Sequence, residues 1–269
     1  MKKIFIFTAL FICNLYLANA QFSIYNIPTA STNANLLVDR LVGTGVVYSN
    51  PTFTGSTSGT NAGNAGYFSG GSSVVGLNSG IVISTGNVGT TNWTYNNGAW
   101  IQYFNNATLT QNNTYFGLSS VTGTGNDPTL AGIAGTTTYD RAVLEFDFVP
   151  ESNFIQFRYV FASEEYNEWV NDVYNDVFGF FVTSLESDGY NYSSKNIAIV
   201  PGTSNTPVAI NNINNGPCSD PSNTPWGHSN GACVNCSYFI DNTYNVRQIE
   251  FDGLTTVLTA SCAVTPCKR

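Results

Sequence analysis

Five carboxylates stand within thirteen positions of this chain: Glu164, Glu165, Glu168, Asp172 and Asp176. The whole sequence holds seventeen acidic residues, so this stretch concentrates the groups that bind cations or move protons. Asn171 and Asn175 lie beside the last two. Carboxylates and amide carbonyls are the hard oxygen donors that Ca²⁺ takes, about six to eight at a time. Glu164, Glu165, Asp172 and Asp176 are therefore the candidate metal ligands and calcium the candidate ion, although the spacing is not that of an EF-hand. The competing reading is a solvated acidic loop, or carboxylates capping backbone N–H groups. A third is acid–base chemistry: a glycosidase needs two carboxyl groups about 5 or about 6.5–9.5 Å apart, and Glu164 or Glu165 would serve. Tyr166, Trp169 and Tyr174 are interleaved with the acids and offer ring faces on which a sugar could stack. Binding asks only for rings and hydrogen bonds, whereas catalysis asks for tuned pKa values as well. Binding is the preferred reading, and no catalytic residue is assigned.

The loop must be held by what flanks it. In 143–149 Leu144, Phe146 and Phe148 alternate with Glu145 and Asp147. In 154–162 Ile155, Phe157, Tyr159 and Phe161 alternate with Gln156 and Arg158. Period-2 alternation marks half-buried strands. Pro150 and Glu151-Ser152-Asn153 read as a tight turn, so the two runs are expected to form a hairpin in mid-sheet. Its core face would carry Phe146, Phe148, Phe157, Tyr159 and Phe161. The apolar run 177–183 follows the loop.

Further short β signals occupy 46–53, 81–84, 197–200, 208–213, 238–240, 248–251 and 255–259, separated by Gly, Pro and Asn clusters. One helix is expected over 35–42, capped by Asn33 or Asn35 and stopped by Gly43. The stretches 55–76 and 87–128, rich in Gly, Asn and Thr, read as long insertions over a sheet. With no crossover helices a parallel sheet is excluded. The fold class is all-β: an antiparallel β-sandwich, jelly-roll-like, with one short N-terminal helix.

The N-terminus sets the compartment. Lys2-Lys3, the apolar run 4–17 and Ala18-Asn19-Ala20 have the form of a signal peptide spanning 1–20, read by the export machinery and cleaved before Gln21. No later segment of the sequence reads as a transmembrane segment. Removing the leader leaves seven basic residues against seventeen acidic, a net charge of −10. Nucleic acid is excluded as a partner, because phosphates need a basic face. Residues 21–269 read as a single domain.

Of six cysteines, Cys13 falls in the leader. Export favours disulfides, so Cys218, Cys233, Cys236, Cys262 and Cys267 are the disulfide candidates. Cys262–Cys267 would close a short loop, and Cys218 could pair with Cys233 or Cys236. Cys218, His228, Cys233 and Cys236 also make a zinc-like set, but an oxidising compartment argues against free thiolates, and zinc is disfavoured. His228 is the only histidine and no G-x-S-x-G elbow is present, so nucleophilic catalysis is not supported.

The motifs LVDRLVGTGVVYSNPTFTGS (37–56), AGYFSGG (65–71), SGIVISTG (79–86), YDRAVLEFDFVPESNFIQFRYVFASEEYNEWV (139–170), NDVFGFFV (175–182), NIAIVPGT (196–203), PVAINNIN (207–214) and FDGLTTVLTA (251–260) occur together and in order. In this the chain resembles the choice-of-anchor L domain family of exported proteins of Gram-negative bacteria. The resemblance implies a secreted or cell-surface module followed by variable sorting or anchoring tails. It implies no ligand and no reaction. Members of the family continue beyond the position of Thr265-Pro266-Cys267, so the domain is expected to be C-terminally incomplete here.

The functional expectation is an exported, non-enzymatic binding or adhesion module. Its partner would be an extracellular glycan or another surface protein, with calcium supporting the acidic loop. The alternatives are a carbohydrate-active hydrolase using the 164–176 acids and a structural spacer in a larger adhesin.

Overall fold

The computed structural model describes residues 22–27, 30, 33–43, 46–55, 63–88, 90–96, 99–105, 114–116, 125–167, 169–171, 174–184, 189–216, 231–242, 247, 249 and 251–268. The expected signal peptide, Glu168, Asp172, Cys218 and His228 lie outside them.

The strands are β1 (Ser23–Asn26), β2 (Val47–Thr54), β3 (Gly63–Ser69), β4 (Ser79–Val88), β5 (Thr90–Asn96), β6 (Ala99–Asn105), β7 (Thr114–Phe116), β8 (Val143–Val149), β9 (Phe154–Tyr159), β10 (Ala162–Ser163), β11 (Val177–Phe178), β12 (Phe181–Val182), β13 (Lys195–Asn196), β14 (Val208–Ala209), β15 (Phe239–Asp241), β16 (Gly253–Thr255) and β17 (Leu258–Ala263). Every pairing between them is antiparallel. The sheets are β1-β3-β4, β2-β8, β6-β5-β7, β9-β17, β10-β16-β15, β11-β14 and β12-β13. The fold is all-β and antiparallel, as the short alternating runs predict.

Sheets stack by burying opposite faces. Phe22, Ile24, Phe68 and Val88, in or beside β1, β3 and β4, meet Ile249 and Leu254 on the β16 side. A second interface sets Ala260, Cys262 and Val264, in and beside β17, against Val182 and Ile197. Leu258, also of β17, meets Val200, Val208 and Ile213.

The expected hairpin of 143–149 with 154–162 does not form. β8 pairs with β2 from Val47↔Val149 to Thr54↔Val143, with a register shift between Ser49 and Thr52. β9 pairs with β17, from Leu258↔Tyr159 to Ala263↔Phe154. The turn at Glu151–Asn153 carries the chain from one sheet to another. Backbone bonds from Cys267 N to Pro150 O (2.8 Å) and Val264 N to Asn153 O (3.0 Å) pin that crossing to the end of the chain. Two strands joined by a short polar turn satisfy hairpin and inter-sheet crossing alike, and alternation does not separate them.

The glycine-rich stretch 55–76 is also more than an insertion, since it contains β3. A side chain at Gly66 would put a Cβ 2.5 Å from Tyr25 O and 2.6 Å from Val88 Cγ1. Glycine is there because strand and neighbour approach closely.

Helix α1 (Asn35–Leu41) buries Leu37 and Val38, but Ala34 occupies its N-cap without a side-chain bond. Asn35 Nδ2 donates to Asn33 Oδ1 at 3.3 Å instead of either side chain capping. Helix α2 (Pro128–Ala134) lies where the sequence reading had an insertion running into its first residue. Its N-cap is Asp127, whose carboxylate accepts from Thr129 N (2.9 Å) and Leu130 N (3.0 Å). Pro128 sits in its first turn and Gly135, at φ 73°, ends it, the usual asymmetry of helix termini.

Candidate functional site

A cavity of about 1280 Å³ opens between β4, α2, β8, the start of the 164–176 loop and the strand segment 177–184. Phe146 and Phe148 of β8, Tyr159, Phe161, Phe178, Phe180 and Phe181 all border it. These rings are only half-buried, because one side of each meets the cavity. Phe146 and Phe148, expected in the core, are therefore wall residues. Tyr48 and Phe148 flank Phe146, with ring centroids at 6.4 and 6.0 Å. On the opposite wall Phe157 packs on Phe180 at 4.5 Å and Tyr159 on Phe178 at 4.9 Å. Gly179 lets this wall fold tightly: a Cβ there would lie 2.6 Å from Phe181 Cζ.

Helix α2 is fastened to the loop by one amide. Asn175 Nδ2 donates to Ala134 O (2.9 Å), at the helix end. Asn175 Oδ1 accepts from Asn211 N (3.3 Å). Asn211 Oδ1 in turn accepts from Asn171 N (2.6 Å). The asparagines beside the acids thus tie the loop to its neighbours by side-chain-to-backbone bonds.

The acidic residues fall into different surroundings. Glu164 and Glu165 follow β10 in a turn and border the cavity. Ser163, 2% exposed, organises the turn: its Oγ accepts from Glu165 N (2.9 Å) and donates to Asp176 Oδ2 (2.8 Å). Asp176 faces the cavity and meets water there, while protein atoms crowd it on the other side. That crowding raises its pKa above the ordinary carboxylate value, and the Ser163 bond opposes the rise in part. Among the described residues no three His, Cys, Asp or Glu side chains gather closely enough to hold a metal ion. Glu164, Glu165 and Asp176 are thus brought to one cavity without forming a described three-ligand set.

The aromatic trio also divides. Tyr166 is fully buried, with its ring 4.8 Å from Phe239 and 6.4 Å from Phe161. Gly253 approaches so closely that a Cβ there would lie 2.6 Å from the Tyr166 ring. Tyr166 is a core residue and offers no face to a ligand, which corrects the sequence expectation. Its hydroxyl has no hydrogen-bond partner among the described residues, and burial first, then the Asp176 charge, pushes its pKa up. Trp169 and Tyr174 stay together as an edge-on pair at 4.8 Å. Tyr174 is 46% exposed and borders the cavity.

The cavity holds more charge than the loop alone brings. Among the described residues seven carboxylates border it: Asp127, Asp140, Glu145, Asp147, Glu164, Glu165 and Asp176. Arg141 and Lys268 are the described cations on its border. Sequence reading missed the contribution of Asp127 and Asp140, since Asp127 falls inside the stretch taken as an insertion and Asp140 lies just beyond it. The Asp127-Pro128 pair and Gly135 were the available signal, being a helix start and stop.

The cysteines pair differently from expectation. Cys233 is bonded to Cys236, with Cα atoms 5.7 Å apart. Cys262 is buried and Cys267 exposed, both as free thiols. They sit at the end of β17 and beyond it, with Cys262 turned into the β17 interface and its pKa raised by burial.

No curated protein and no solved structure matches the chain. The model of the choice-of-anchor L domain matches residues 24–269, nearly its whole length, and the chain belongs to that family of cell-surface-associated domains.

Proposed function

We propose that this domain is a non-enzymatic binding module of the cell surface, and that its ligand enters the cavity between β8 and 177–184. The ligand class is a glycan or a segment of another surface protein. The observation that carries the reading is the cavity itself: about 1280 Å³ bordered by half-buried rings and seven carboxylates. That exceeds the roughly 300–1,000 Å³ of small-molecule pockets, which favours an extended ligand. The family is not known for enzymes. Calcium stays outside the proposal. Asp176 Oδ2 already accepts from Ser163, and among the described residues the acids form no three-ligand set.

The test is an array of glycans and peptides probed with the wild-type domain and with Tyr174→Ala. The expected result is at least one ligand that the variant binds tenfold or more weakly, with no product released from it. Binding that is indifferent to Tyr174 and to the cavity rings would overturn the proposal.

A further inference from the structure

The two walls of the cavity share a property that sugar binding does not require. Successive side chains of a strand point to opposite faces, so a space that touches every residue of a strand runs along its edge. All of 143–148 in β8 and all of 177–184 border the cavity. β8 hydrogen-bonds β2 along one edge and joins no strand along the other among the described residues.

The opposite wall has the same asymmetry. Asp176 O accepts from Ile210 N (3.1 Å), Phe180 O from Ile197 N (2.8 Å), and Ser184 N donates to Tyr192 O (3.0 Å). These residues stand four apart, so they address one edge. The backbone groups of Val177, Gly179 and Phe181 are turned to the other; β11 and β12 pair only with β14 and β13, and no further backbone bond reaches these three residues among the described residues. Buried backbone polar groups are nearly always paired, so two open edges on one cavity ask for a strand.

We infer that the cavity takes an extended peptide segment of a partner protein by β-strand addition, and that the segment alternates basic with apolar residues. This rests on the binding reading above and names its ligand. Charge complementarity selects the occupant: among the described residues seven carboxylates against two cations border the cavity. A second copy of this chain, with nine Lys and Arg against seventeen acidic residues, is the wrong sign. Main-chain bonds to the two edges would supply affinity, and pockets between the rings would receive the alternate apolar side chains.

The experiment uses the full chain and a ten-residue acetylated peptide alternating lysine with valine or threonine. Comparators are the same peptide with every lysine replaced by glutamate, the lysine peptide N-methylated at alternate residues, and a neutral chito-oligosaccharide. Fluorescence anisotropy reads affinity and amide hydrogen exchange reads the edges. The lysine peptide should bind, and both peptide comparators should bind at least tenfold more weakly. Exchange should slow at Val177, Gly179, Phe181 and along β8. Glu145→Gln, at an exposed position of β8, should weaken the lysine peptide severalfold and leave the melting temperature unchanged. Equal binding of the N-methylated peptide would overturn the inference, since charge alone would then suffice. Binding of the oligosaccharide but not the peptide would overturn it and leave the surface-binding reading standing. Binding of neither probe, together with an array free of cavity-dependent ligands, would overturn both.

Discussion

β17 and β8 are strands of similar length, each paired along one edge among the described residues, yet they live in different surroundings. β17 alternates cleanly, with Leu258, Ala260 and Cys262 at 1, 0 and 8% exposure and Thr259 and Ser261 outside. β8 has the stronger apolar sequence, but none of its residues is fully buried. The difference lies across the interface. β17 faces Val200, Val208 and Ile213 at close quarters, while β8 faces the cavity. Alternation identifies the face that turns inward and says nothing about what stands opposite.

The largest expected effect tests the dense side. Leu258→Ala should destabilise the domain by about 2–5 kcal/mol, read by denaturant unfolding, because its surroundings are closed and a cavity would be left. Phe157→Ala comes next, at about 2 kcal/mol. Its ring is half-buried but packed at a tilt on Phe180, so it loses less than a fully enclosed phenylalanine. Phe146→Ala, on the cavity wall, should cost about 1 kcal/mol, since half the ring already meets open space. A Phe146→Ala cost equal to that of Leu258→Ala would erase the distinction between the two regions.

The smallest effect concerns Asp176. Its folded-state pKa is raised, so between its ordinary value and the raised one the folded state binds more protons than the unfolded chain. Stability contributed through this group therefore rises as pH falls through that window and is lost as pH climbs past the folded pKa. Relative to Asp176→Asn, the wild-type melting temperature should rise as pH is lowered from neutral toward 4. Parallel curves for the two proteins would place Asp176 in an ordinary solvated setting.

Much of the fold was legible in the sequence. The run 143–149 coincides with β8, helix α1 begins and ends within a residue or two of its expected limits, and the all-β antiparallel class follows from alternation without crossover helices. Strand pairing was not legible, because β2 with β8 and β9 with β17 are chosen by tertiary packing between segments far apart in the chain. β3 was hidden by its composition: Gly63, Gly66 and Asn64 read as loop residues, yet Asn64 is buried with Nδ2 bonded to Gly86 O at 2.7 Å. At the candidate site, the acids Glu164, Glu165 and Asp176 do reach one cavity. Tyr166 was misplaced because an aromatic residue in an acidic loop carries no mark of whether its ring turns to solvent or to core.

The distant pairings also govern how this chain comes to be folded. Thr54 meets Val143, and Ala263 meets Phe154, so each contact closes a loop of about a hundred residues. Such closures lose chain entropy before any contact rewards them, and topologies of this kind fold in milliseconds to seconds rather than microseconds. Until β17 arrives, β9 lacks its sheet partner, and in the meantime the unpaired edges are templates for other chains. A protein assembled this way gains from emerging slowly and in the presence of chaperones that shield strand edges until β17 docks.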